Sequence, residues 1–155
     1  MFKDSLIFND WNNLKEYRVK LFTHSDLDGV GSQIGIKYLY EDCPNRASVE
    51  NCSIRNVNKK VRDFIESKEH ENYELIFMTD MSIDGKTAEL IDRKCKDKFV
   101  LLDHHKTALW LNKYSWSNVI VSYEDGRLAC GASLFYDYML SKGCKIEKLE
   151  YFINL

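Results

Sequence analysis

The run Tyr73-Glu74-Leu75-Ile76-Phe77-Met78-Thr79 stops at an acid, Asp80. Leu75 to Met78 are apolar without a break, whereas a strand wetted on one face would alternate. An unbroken run of this length fits a strand buried on both faces, as in a parallel sheet covered by helices. Lys98-Phe99-Val100-Leu101-Leu102 repeats the pattern and closes on Asp103-His104-His105. Upstream, Tyr17 to Thr23 does the same and closes on His24-Ser25-Asp26-Leu27-Asp28-Gly29. Ala47 to Ile54 and Asn118 to Tyr123 are two further strand candidates.

Helical segments separate these runs. Val30, Ile34, Ile36 and Leu39 recur at roughly helical spacing after the first strand. Val57, Val61, Phe64 and Ile65 form one apolar stripe on a charged segment, and Ala88, Leu90 and Ile91 form another. Ser82 or Asp84 would cap that last helix. Cys130 to Leu140 reads as a further helix, with Gly143 as its stop. Alternating strands and helices of this kind give an α/β domain in three layers, with a five-stranded, mostly parallel sheet between helices.

Composition narrows the function classes. The 155 residues are 45% hydrophobic and 30% charged, an ordinary globular balance for one domain. Lys and Arg number 22 against 24 Asp and Glu, a net charge of −2. That excludes a broad basic track for nucleic acid, so any phosphate contact must be local. No run approaches the ~20 apolar residues of a membrane span. Asp4 and Asp10 interrupt the place where a signal peptide would carry its apolar core. The five cysteines are widely spaced and never in a C-x-x-C arrangement. Reduced thiols in a cytoplasmic protein are therefore expected.

Three of the four histidines fall in the strand-end clusters. In an open parallel sheet, ligands sit outside the carboxyl ends of the strands. Such a sheet would gather His24, Asp26, Asp28, Asp80, Asp103, His104 and His105 onto one edge. Gathered carboxylates repel one another unless cations lie between them. Oxygen mixed with imidazole suits Mn²⁺, Mg²⁺, Fe²⁺ or Zn²⁺, and the absence of cysteine argues against structural zinc. Each cluster has a plainer reading: an Asp after a strand as a helix cap, and Gly29 chosen for backbone freedom. An EF-hand loop fails, because counting from His24 puts Gly35 where a bidentate Glu is needed.

Taken together, the three clusters resemble the DHH phosphoesterases. His24-Ser25-Asp26-Leu27-Asp28-Gly29 matches the first family motif, Thr79-Asp80 the second, and Asp103-His104-His105 the third. Cys130-Gly131-Ala132-Ser133 is similar to a small-residue helix start found in many members. The resemblance runs from about residue 17 to 140. It implies a two-metal site, usually manganese, with Mg²⁺, Fe²⁺ or Co²⁺ as substitutes. His24 and Asp26 would hold one ion, Asp28 and His104 the other, and Asp80 would bridge them. His105 would face the scissile phosphate with Lys106 beside it, and Asp103 would orient the histidine pair.

The implied activity is hydrolysis of phosphodiesters in short or single-stranded oligonucleotides, or in cyclic or linear dinucleotides. A pyrophosphatase-like hydrolase and a non-catalytic nucleotide-binding module are the alternatives. No membrane partner is expected, and a homodimer is compatible with the sequence. Two departures stand out. A further metal-binding Asp of the family has no match here, since Asp125 precedes the small-residue helix and Asp137 lies within it. The second, substrate-gripping domain usual in the family is not expected within residues 1–155. Ile146 to Leu155 reads as an amphipathic helix without a stop.

Arg55, Lys59, Lys60 and Arg127 are expected to be solvated, and Trp110, Tyr114 and Trp116 to pack in the core or on the surface. His70, between two glutamates, is expected to be exposed.

Overall fold

A computed structural model describes residues 1–147, apart from the side chains of Leu27 and Asp28. The terminal helix expected from Ile146 onward and the side chain of Asp28 therefore lie outside the described residues.

Five strands form one sheet: β1 (Val19–His24), β2 (Ala47–Cys52), β3 (Leu75–Thr79), β4 (Phe99–Asp103) and β5 (Ser117–Val119). Their order is β2-β1-β3-β4-β5, and every pairing is parallel. The unbroken apolar runs are buried on both sides, as their composition requires. Phe22, Ile76, Met78, Phe99 and Leu101 enter one core cluster, while Leu21, Leu75, Phe77, Val100 and Leu102 enter the other. Alternate residues of one strand thus serve opposite cores.

The helices are α1 (Leu27–Leu39), α2 (Val57–Glu66), α3 (Gly85–Lys94) and α4 (Gly131–Ser141). α2 and α3 pack together over the first core, and α1 and α4 over the second. Asp84 caps α3, its Oδ1 accepting the Thr87 N–H at 2.9 Å. Gly143, at φ +86°, ends α4 with its own N–H on Leu140 and that of Cys144 on the Met139 carbonyl.

Chain order reverses at β1: the connection through α1 leads to β2 on one side, and that through α2 returns to β3 on the other. The crevice of such a sheet opens at this reversal, outside the carboxyl ends of β1 and β3. His24 and Asp80 stand there.

Two expectations need correction. The fifth strand is three residues long, not six. After Val119 the chain leaves the sheet, and Ser122 pairs instead with Leu128 in an isolated antiparallel bridge. His70 is buried, with its ring 6.4 Å from Phe64; burial lowers its pKa, and Lys98 nearby adds to the shift. Trp116 is wholly buried, donating from Nε1 to Asp92, and the half-buried Tyr114 stacks on it, so both rings pack against the core as expected. No helix among the described residues is long and apolar enough to cross a membrane.

Candidate metal centre

β1 delivers His24 and Asp26 to the crevice through a tight turn. Asp26 is the N-cap of α1, its Oδ1 accepting the Gly29 N–H at 3.0 Å. Its other oxygen lies 3.0 Å from His24 Nδ1. One oxygen thus caps the helix while the other faces the histidine. Gly29 is needed for space: a Cβ there would stand 1.7 Å from the His24 carbonyl oxygen. Under the turn, Thr79 Oγ1 donates to Thr23 Oγ1 at 2.9 Å, and Thr23 Oγ1 in turn lies 3.2 Å from the Thr79 carbonyl. This buried pair fastens the ends of β1 and β3 to each other. Nothing in the periodicity singled out those threonines; their place immediately before each cluster was the available signal.

Asp80 leaves β3 in the left-handed region, at φ +61°. Asp tolerates that conformation better than most residues, but it still costs energy, and such strain concentrates at functional sites. The turn aims the carboxylate inward: Oδ1 lies 2.9 Å from His104 Nε2, while Oδ2 is buried with no hydrogen-bond partner.

At the end of β4, Asp103 is fully buried. Its Oδ1 lies 2.7 Å from His105 Nδ1, and its Oδ2 is likewise buried without a partner. The rings of His104 and His105 sit 4.2 Å apart. His105 is about half exposed, so Asp103 fixes a ring that opens to solvent.

Two groups of ligand atoms result, each within a 4.8 Å span: His24, Asp26 and Asp80; and Asp80, Asp103, His104 and His105. Asp80 belongs to both. Burial raises its pKa; His104 opposes that and Asp26 reinforces it. Desolvation pushes Asp26 upward as well, but its interactions with Asp80, the Gly29 amide and His24 together outweigh it and bring that carboxyl down to about 2. Two buried carboxylate oxygens left without donors, beside imidazole nitrogens, are what a divalent cation would satisfy. The donor set fits a hard or borderline metal ion.

The remaining sequence candidates lie apart from these groups. Lys106 is exposed at the start of the 3₁₀ turn Lys106–Lys113. Asp137 accepts the Tyr123 hydroxyl at 2.8 Å, and Asp125 pairs with Arg127 on the surface, so neither supplies a further ligand.

Comparison with known proteins agrees with this geometry. The model of the DHH family, N-terminal domain, matches residues 18–153. The chain belongs to the DHH family. It is 37% identical over 127 residues to oligoribonuclease NrnB of Bacillus subtilis (strain 168), covering 79% of this chain and 31% of the relative. The chain thus spans about a third of the length of that curated relative. The DHH assignment accounts for the three strand-end motifs and for the α/β sheet that gathers them.

Proposed function

We propose that this DHH domain hydrolyses phosphodiester bonds in short or single-stranded oligonucleotides or dinucleotides, using two divalent cations, manganese foremost. The observation that carries the reading is Asp80, shared by both ligand groups with one buried oxygen lacking a donor. Similarity to an oligoribonuclease supports the substrate class.

In this reading His24 and Asp26 would hold one ion, Asp28 and His104 the other, and Asp80 would contribute to both. When bound, such ions lower the pKa of water and neutralise phosphoryl oxygens. The protein's own share is orientation and charge. Asp26 stays ionised because the α1 amide and its neighbours favour the anion. His104 is held by Asp80. Asp103 keeps the proton of His105 on Nδ1, which turns the other ring nitrogen to the substrate. There His105, when protonated on both nitrogens, would donate from Nε2 to the phosphoryl oxygens, with Lys106 adding a second, mobile charge. The cytoplasm is the proposed compartment, supported by five free cysteines.

The test is incubation of the purified chain in Mn²⁺ with dinucleotides, a cyclic dinucleotide and pyrophosphate. Cleavage of the diesters supports the proposal. Cleavage of pyrophosphate alone would replace it with phosphoanhydride hydrolysis. Metal binding without any cleavage would leave a binding module.

A further inference from the structure

A cavity of about 450 Å³ opens beside the metal centre, within the ~300–1,000 Å³ usual for small-molecule sites. Its polar wall is the centre itself: His24, Asp26, Asp80 and His105. The apolar part of its lining is Ile54, Val57, Met81 and Ile83, and Asp84, the cap of α3, lines it as well. Val57, Met81 and Ile83 are buried members of the core beneath α2 and α3, so that apolar part is fixed. Ile54 stands at the rim between β2 and α2 with 84% of its surface exposed. The rim also carries hydrogen-bonding groups. Asn58 Oδ1 accepts the Asp84 N–H at 2.8 Å, which ties α2 to the loop before α3 and leaves the amide N–H donors. Ser82 and Thr107 bring hydroxyls.

The wall chemistry selects an occupant. Pyrophosphate has no use for four aliphatic side chains. A sugar phosphate has no apolar face to lay against them. A nucleobase has both an apolar face and a polar edge, and its phosphate hangs within reach of the metal ligands. We propose that this cavity seats the base of the nucleotide whose phosphate the metal centre holds, against Ile54, Val57, Met81 and Ile83, with Asn58 at its edge. The inference rests on the phosphodiesterase reading above and adds the residues by which this domain would tell a nucleotide from other phosphate esters.

Binding tests it independently of turnover. Calorimetry in Mn²⁺ would compare adenosine 5′-monophosphate with ribose 5-phosphate on the whole chain. The parent should bind the nucleotide tighter by on the order of tenfold. Ile54→Ala, at an exposed position that leaves the core intact, should narrow that preference several-fold without weakening ribose 5-phosphate. Ser82→Trp, which fills the cavity mouth, should abolish it. Equal affinity of the parent for both ligands would overturn the base site while leaving the metal–phosphate reading standing. So would an unchanged preference in both variants. If neither ligand bound, both readings would fall.

Discussion

Asp80 Oδ1 and His104 Nε2 lie 2.9 Å apart, so the residues that end β3 and begin the turn after β4 meet directly across neighbouring strands. The contact depends on the left-handed backbone of Asp80, which turns its side chain into the crevice. Backbone and ligand roles can therefore be separated by substitution. Asp80→Gly and Asp80→Ala both remove the carboxylate, but only alanine must hold φ +61° with a Cβ. Asp80→Ala should be less stable than Asp80→Gly by about 1 kcal/mol in urea unfolding of the metal-free protein. Neither should gain from Mn²⁺ the rise in melting temperature expected of the parent through mass action. Equal Mn²⁺ stabilisation of the parent and both variants would remove Asp80 from the centre.

Gly29→Ala tests the turn that presents His24. The added Cβ would have to displace a backbone carbonyl 1.7 Å away, and no flexible side chain is there to yield. A loss of about 3 kcal/mol is expected by chemical denaturation. The displaced carbonyl belongs to His24, so surviving folded protein should also bind Mn²⁺ more weakly. A variant as stable as the parent would show that the turn relaxes freely.

The strands were legible because burial on both faces writes an uninterrupted apolar run, and the acids and histidines that end those runs stand out against it. A cap at Ser82 or Asp84, which the fold resolves to Asp84, and Gly143 as a stop were legible for the same local reason. What sequence hid was set by neighbours distant along the chain. His70 sits between glutamates, yet Phe64 and Lys98 enclose it. Gly29 looks like a flexibility residue, and only the fold reveals the carbonyl against it. Ile54 and Ile83 belong to different elements and face one cavity only once α2 and the β3–α3 loop are joined through Asn58 and Asp84.

Asp84, which caps α3 and lines the same cavity as the ligand candidates, gives a pH-dependent test. The Thr87 N–H holds its carboxyl below the ordinary value of 3.8, with burial opposing weakly and Arg62 helping. An acid with a lowered pKa stabilises the fold above its unfolded value and loses that contribution as pH falls through the folded one. Asp84→Ala should cost about 1 kcal/mol at neutral pH, the usual worth of an N-cap. The gap between parent and variant in urea midpoints should hold from pH 8 to 5 and shrink below pH 3.8. Asp84→Asn should cap nearly as well, because the amide oxygen also accepts from Thr87. Its stability relative to Asp84→Ala should not depend on pH in that range. A gap that widened in acid would contradict the cap.

The pair Asp103 and His105 separates catalysis from metal binding. Asp103 is fully buried 2.7 Å from a ring that opens to solvent, so the acid orients and the imidazole faces outward. If His105 stabilises the transferring phosphoryl group, His105→Ala should lower kcat on a dinucleotide by on the order of 10²-fold. Mn²⁺ affinity should stay nearly intact, because His24, Asp26, Asp80 and His104 remain. Asp103→Asn keeps the shape but offers either an oxygen or an N–H to Nδ1. It should therefore lower kcat more than it raises KM, and it should change the ring's nitrogen chemical shifts in a ¹⁵N-histidine spectrum. Asp103→Leu removes the buried carboxylate altogether and controls for packing. Steady-state kinetics in Mn²⁺ on parent and variants, paired with metal calorimetry, would decide the point. An unchanged kcat in His105→Ala takes that histidine out of the mechanism. A loss of Mn²⁺ binding equal to the loss of rate would make it a ligand instead.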